Sequence, residues 1–186
     1  MAGGRSRRYG RPKHAEAVGG MPMVQRAVEL LAPVTELAVV VSSRPVDALD
    51  GVPVIPDLIP GKGPLGGLHA ALHHALGAGL DGVFLMACDL PLVDGEVVGT
   101  LTENMDGAVV APSRGGEGIE PLCAVYSVEM LPAVERRMES DDLSLHALFR
   151  EVDGRTVELG EGAFLNVNTP ADRDRAEAAL RQREAE

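Results

Sequence analysis

Apolar residues in this chain fall alternately into short continuous runs and into stretches with a helical period. Val24, Ala27, Val28 and Leu31 recur at helical spacing, predicting a helix over 23–31 that Pro33 ends, after a turn at 18–22. Residues 37–41 form an unbroken apolar run, the mark of a strand buried on both faces, and Ser42, Ser43, Arg44 and Pro45 close it with turn chemistry. A second short strand is predicted at 52–55. A helix follows with Leu65, Leu68, Ala71, Leu72, Ala75 and Leu76 on one face, ended by Gly77 and Gly79. Residues 83–88 make the most apolar strand, with Asp89 at its carboxyl end. The remaining pattern predicts helices at 97–101, 128–138 and 143–149, and strands at 107–111, 120–126, 155–159 and 163–167. Thr169 and Pro170 have the chemistry of an N-cap and a first helical position, opening a last helix expected to fray after about Leu180.

Strands alternating with helices along the whole chain predict an α/β fold with a mostly parallel sheet. No linker, repeat or low-complexity tract divides the sequence, so residues 1–186 are read as a single domain. Open sheets of this kind bind ligands beyond the carboxyl ends of their strands. That rule gathers Ser43, Asp57, Asp89 and Asn168 along one edge.

Composition narrows the function. The chain is 45% hydrophobic and 24% charged, the balance of a globular domain, and no apolar run reaches the length of a membrane span. The basic start is followed by no apolar stretch of a secretory signal. A formal net charge of −11 and an aromatic content of 3% without Trp argue against a nucleic-acid partner. Two isolated cysteines in apolar strands, Cys88 and Cys123, fit a reducing cytoplasm and suggest no zinc site.

Against this acidic background residues 2–13 concentrate four arginines and a lysine behind the glycines Gly3 and Gly4. Consecutive amides in a glycine turn form a concave nest for phosphate oxygens, and Arg and Lys add charge for the same oxygens. The same composition also suits a solvated basic tail. Asp89, aimed at the ligand edge by its strand, is suited to Mg²⁺, which takes few protein ligands; the alternative is an Asp that caps the Leu90-Pro91 turn. Residues 60–67 are rich in glycine and proline and lead directly into a helix, so their backbone can approach a base or a phosphate; an ordinary connection is the alternative. His69 and His73 stand four apart, a spacing able to bind metal, but no third ligand is evident in the sequence, which favours ordinary helix histidines. Arg136 and Arg137 read as a solvated helix face. Cys88 beside Asp89 has no base in its sequence context to make it a nucleophile.

Taken in order, the segment from Ala2 to Gly10 with Lys13, then Asp57, residues 60–67, Cys88-Asp89-Leu90-Pro91, Glu120-Pro121-Leu122-Cys123 and Asn166-Val167-Asn168-Thr169-Pro170 resemble the bacterial molybdenum cofactor guanylyltransferases, the MobA-type enzymes. The resemblance covers nearly the whole chain. It implies a Rossmann-like three-layer α/β/α nucleotidyltransferase fold and transfer of GMP from GTP to molybdopterin with release of pyrophosphate. It further implies that Ala2, Gly3, Gly4, Arg5, Ser43, Asp57 and Gly66 contact the nucleotide, that Lys13 and Arg8 act on its phosphates as catalytic residues, that Asp89 binds Mg²⁺, and that Asn166 and Asn168 lie on the pterin side. Cofactor maturation proteins and molybdoenzyme chaperones are the further partners it implies. Ser43 stands where the family often has Asn, and Pro12 where an acidic residue commonly precedes the lysine. The family's basic loop follows a central first strand, and here the sequence opens on the loop, so that strand is expected to be missing and residues 1–12 less ordered. Use of CTP or another acceptor, and nucleotide binding without turnover, are the competing readings.

Overall fold

Gly82–Met86, rich in Val, Phe and Leu and free of charge, forms the strand β5 of the principal sheet in the computed structural model of the protein. The structure describes residues 1, 16–46, 49, 51–114 and 118–183, without the side chains of 114 and 161. Around β5 the described elements run in chain order as β1 (Ala17–Val18), β2 (Met21–Pro22), α1 (Met23–Leu31), β3 (Val40–Val41), β4 (Val54–Ile55) and α2 (Gly63–Gly77). After β5 come α3 (Gly95–Glu103), β6 (Val109–Arg114), β7 (Cys123–Ser127), α4 (Leu131–Met138), α5 (Leu145–Glu151), β8 (Arg155–Leu159) and α6 (Pro170–Arg183).

The principal sheet has the order β5-β7-β6-β8. β6 and β8 are parallel, and β7 is antiparallel to both β5 and β6, so β5, β6 and β8 share one direction and β7 is reversed. Chain length explains the reversal. Only residues 115–122 separate β6 from β7, fewer than the dozen or so that a parallel crossover takes. β3 and β4 form a separate parallel pair, and β1 and β2 a hairpin whose turn places Gly19 and Gly20 at φ of 60° and 79°. Both values are positive, as a two-residue hairpin turn with the sheet's own twist demands.

Period-two alternation along the strands serves two helical layers. Leu85, Val109, Ala124 and Tyr126 pack against Leu65, Leu68 and Leu72 of α2, Val134 of α4 and Leu148 of α5. Met86, Val110, Cys123 and Val125 face the opposite way, against Val97, Val98 and Leu101 of α3 and Ala27 of α1. The result is the expected three-layer α/β/α arrangement. Leu65, Leu68 and Leu72 are fully buried, each contributing about 1.5–3 kcal/mol by leaving water. α2 is apolar nearly all round because it lies between the sheet and α4.

The edge of β5 away from β7 faces β3 across a cavity of about 710 Å³, lined by Val39, Val40, Val83, Leu85 and Met86 among others. Met1 bridges this gap at its top. Its amine donates to the Met86 carbonyl (2.6 Å), and the Cys88 amide donates to the Met1 carbonyl (3.2 Å), the bonding pattern of one parallel rung. Burial lowers the pKa of this amine, against the opposing pull of Cys88 and Asp89.

Several elements differ from their sequence expectation. Residues 164–168 join no ladder among the described residues, although Phe164 and Val167 are buried. Their apolar pattern reflects packing of an irregular segment over α3, Leu92 and Ala176. α6 is helical to Arg183, beyond the expected fraying point, because Arg183 Nη1 bonds the Leu92 carbonyl (2.7 Å) and Asp94 Oδ2 (3.0 Å). The helix expected over 128–138 is divided into a 3₁₀ turn, Val128–Met130, and α4, with Ser127 Oγ accepting the Glu129 amide and Pro132 in the first turn of α4. No helix among the described residues is long and apolar enough to cross a membrane.

Candidate functional site

Parallel pairing of β3 with β4 brings their carboxyl ends to the same side. The Ser42 amide bonds the Ile55 carbonyl (2.9 Å), so the loops that carry Ser43 and Asp57 leave the pair side by side. Ser42 is buried, and its Oγ accepts the Arg44 amide (3.2 Å), which holds the turn and leaves Ser43 exposed. Asp57 is half-buried, and burial raises its pKa.

The glycine-proline segment is half loop and half helix. Gly61 and Gly63 have φ of 85° and 58°, which favours glycine at both places. The helix then starts at Gly63, three residues before Gly66, because Pro64 in the first turn has no amide to leave unsatisfied. Gly66 is therefore a helical residue, buried close to Asp57: a Cβ placed on it would lie 3.1 Å from Lys62 Cβ, 3.4 Å from the Ile59 carbonyl and 4.0 Å from Asp57 Cγ. Lys62 turns away from this point. Its Nζ donates to the Met138 carbonyl at 2.5 Å, where the carbonyls at the C-terminus of α4 attract a cation.

Met1 connects this half of the edge to the next. Its side chain lies against Gly67, 2.6 Å from where a Cβ would sit, and its carbonyl holds the Cys88 amide. Asp89 follows immediately and is half-buried at the carboxyl end of β5. The Asp89 carbonyl accepts the Val167 amide at 2.9 Å, which brings the Asn166–Asn168 segment over the end of β5. Asn166 Nδ2 donates to Glu120 Oε2 (3.4 Å). Asn168 is exposed, and its amide donates to Asp172 Oδ2 (3.0 Å). The same Asp172 oxygen accepts the Thr169 amide, and the Asp172 amide donates back to Thr169 Oγ1, a reciprocal cap on α6 as Thr169-Pro170 predicts.

The structure thus brings Asp57, Gly66, Asp89, Asn166 and Asn168 onto one edge through contiguous contacts, with Ser43 on the neighbouring loop. Ala2, Gly3, Gly4, Arg5, Arg8 and Lys13 lie outside the described residues, and of residues 1–12, expected to be less ordered, only Met1 is described. Arg173 Nη1 reaches Glu16 Oε1 (3.4 Å), and the Glu16 carbonyl accepts the Met23 amide. Sequence reasoning did not single out Glu120 as a site residue. It is a buried carboxylate in a turn that Tyr126 pins by donating its hydroxyl to the Pro121 carbonyl (2.7 Å). Burial, then the charge of Glu120, raise the Tyr126 pKa. The available signal was a lone acid directly before a proline and an apolar strand.

As chemistry, the edge offers carboxylate oxygens, carboxamides and close backbone next to an expected basic loop. Those are parts for orienting anions and a cation rather than for covalent attack. A family model described as a MobA-like NTP transferase domain matches residues 1–156. A probable molybdenum cofactor guanylyltransferase from Pelotomaculum thermopropionicum is 36% identical over 92% of this chain and 87% of its own length. A molybdenum cofactor guanylyltransferase from Desulfosudis oleivorans is 33% identical over 97% and 94%. The crystal structure of molybdopterin-guanine dinucleotide biosynthesis protein A from Archaeoglobus fulgidus superposes with a TM-score of 0.78 at 24% identity, covering 97% of this chain and 96% of that one, which shows a shared fold. This chain belongs to the MobA-like NTP transferase family and is a nucleotidyltransferase.

Proposed function

We propose that the protein transfers GMP from GTP to molybdopterin. The terminal phosphate oxygen of the pterin attacks the α-phosphorus of GTP. The bond to the bridging oxygen of the β-phosphate breaks, pyrophosphate leaves, and a guanine dinucleotide form of the cofactor remains. The observation that carries this reading is the hydrogen bond from the Val167 amide to the Asp89 carbonyl, which holds the proposed phosphate end and the proposed pterin end of the edge in one frame. The names of the two curated relatives supply the substrate class.

In this reading the amides of Ala2, Gly3 and Gly4 cradle the triphosphate, with Arg5, Arg8 and Lys13 neutralising its charge. Ser43, Asp57 and Gly66 form the nucleoside side, where the helical start at Gly63 lets backbone approach a flat base. Asn166 and Asn168 orient the pterin. Asp89 is the residue that would hold Mg²⁺: it is a hard oxygen donor, half-buried at the strand end, and Mg²⁺ takes one or two such carboxylates. When bound, the ion neutralises charge on the phosphates. Buried thiols at Cys88 and Cys123 suit a reducing cytoplasm, and maturation proteins or molybdoenzyme chaperones would receive the product.

The test is pyrophosphate release by the full chain with molybdopterin and each of GTP, CTP, ATP and UTP in turn, with Mg²⁺. Release with GTP alone supports the reading. Release with CTP but not GTP overturns the base, and GTP binding with no release under any acceptor overturns catalysis.

A further inference from the structure

The i, i+4 histidines of α2 gain from the fold what the sequence does not show, a third ligand. Glu135 on α4 faces them across the helix pair: its Oε1 is 3.7 Å from His69 Nε2 and 3.4 Å from His73 Nε2, and the two Nε2 atoms are 3.1 Å apart. Among the described residues, these three offer ligand atoms close enough together to share one metal ion. A tetrahedral zinc with bonds of about 2.0–2.1 Å spaces its ligand atoms about 3.3–3.4 Å apart. The triangle here has sides of 3.1, 3.4 and 3.7 Å, and its circumscribed circle has a radius of about 2.0 Å. A cation slightly above the plane of the triangle therefore meets all three atoms at bonding distance without backbone movement. The two rings meet edge to face, with centroids 4.5 Å apart and planes at 78°.

We infer that His69, His73 and Glu135 form a zinc-class divalent cation site, separate from the nucleotide edge, with water at the fourth position. His69 is buried, while His73 and Glu135 have 38% and 53% of their side chains exposed, so the fourth position opens to solvent. Imidazole nitrogen with one carboxylate is a donor set for zinc rather than for Mg²⁺. The site joins α2 to α4, the two helices that Lys62 already ties through the Met138 carbonyl, so a bound ion clamps the helix that begins in the glycine-proline segment.

The test is titration of the full chain, freed of metal and without nucleotide, with Zn²⁺ against a chromophoric chelator, and with Co²⁺ read by visible absorption. The expected result is one equivalent bound, a tetrahedral Co²⁺ spectrum, and a Tm raised by roughly 5–10 °C at a hundredfold excess over Kd. His73→Gln and Glu135→Gln, at exposed positions that leave the core intact, should each weaken Zn²⁺ binding at least about tenfold and remove the tetrahedral spectrum. Their pyrophosphate release with GTP and Mg²⁺ should not change. An octahedral Co²⁺ spectrum, no stoichiometric binding, or binding unaltered in both variants would overturn the site, the last by placing the ion elsewhere.

Discussion

The Val167 amide donates to the Asp89 carbonyl at 2.9 Å, joining residues 78 positions apart in sequence. Two motifs that are separate in the chain thereby become neighbours. The bond uses the backbone of Asp89, so the carboxylate can be altered without removing this contact. Asp89→Asn should then lower pyrophosphate release about a hundred- to a thousandfold, the scale of removing a group that stabilises transition-state charge. Tm should stay within a degree or two of wild type. Substantial activity in the variant at saturating Mg²⁺ would remove Asp89 from the proposed chemistry.

Asn166 and Glu120 meet on the other flank of that bond (3.4 Å). If Asn166 orients the pterin, Asn166→Ala should raise the KM for molybdopterin by about tenfold, the value of one lost hydrogen bond to a charged or well-ordered group, while the KM for GTP holds. Steady-state kinetics varied in each substrate separate the two. A rise confined to GTP would move Asn166 to the nucleotide side.

Much of this arrangement is legible before the structure. The helix over 23–31 and the strand over 155–159 have the same bounds in both, because each combines clear periodicity with a firm stop. Asp57 and Asp89 share an edge because strand ends do, and Asn168 joins them through the bond from the Val167 amide to the Asp89 carbonyl. Three things were hidden. The reversal of β7 depends on the length of a connection, which periodicity does not carry. The apolar run over 163–167 looks like a strand because burial, not pairing, selects its residues; Val167 is fully buried and belongs to none of the strands among the described residues. The pairing of Glu135 with His69 and His73 needs two helices brought together, and no spacing along the chain encodes it.

Lys62 lies beside Gly66, on the proposed nucleoside side of the edge. It sits in the glycine-proline segment, yet its ammonium lies on the Met138 carbonyl. Lys62→Met keeps the stem and removes the charge. It should cost about 1.5–3 kcal/mol of stability, the range for a hydrogen bond to a charged group, measurable by urea denaturation. GTP affinity should fall less than about threefold. A large loss of affinity without a loss of stability would show that Lys62 leaves Met138 to serve the nucleotide.

The cap on α6 predicts a pH dependence of stability. Asp172 is held down to a pKa of about 2, chiefly by the Arg175 guanidinium (2.5 Å), then by Thr169 Oγ1 and the amides of Asn168 and Thr169, against an ordinary value of 3.8. The folded pKa is the lower one, so the charged form favours the folded state. Its contribution is complete above about pH 5, where Asp172 is ionised in both states, and is lost as pH falls through 3.8 towards 2. Asp172→Asn removes the charge at every pH. The Tm difference between wild type and variant should therefore be constant from pH 7 to about pH 5 and shrink steadily between 3.8 and 2. Thermal melts at half-unit intervals read this directly. The same carboxylate holds the amides of Asn168 and Thr169, so loss of the cap also frees the end of the Asn166–Asn168 segment. Activity assayed at pH 7 should fall in the Asn variant, with the rise in KM falling on the pterin rather than on GTP. A pH-independent Tm difference would mean that Arg175 and Thr169 do not bind Asp172 in solution as they do in the fold.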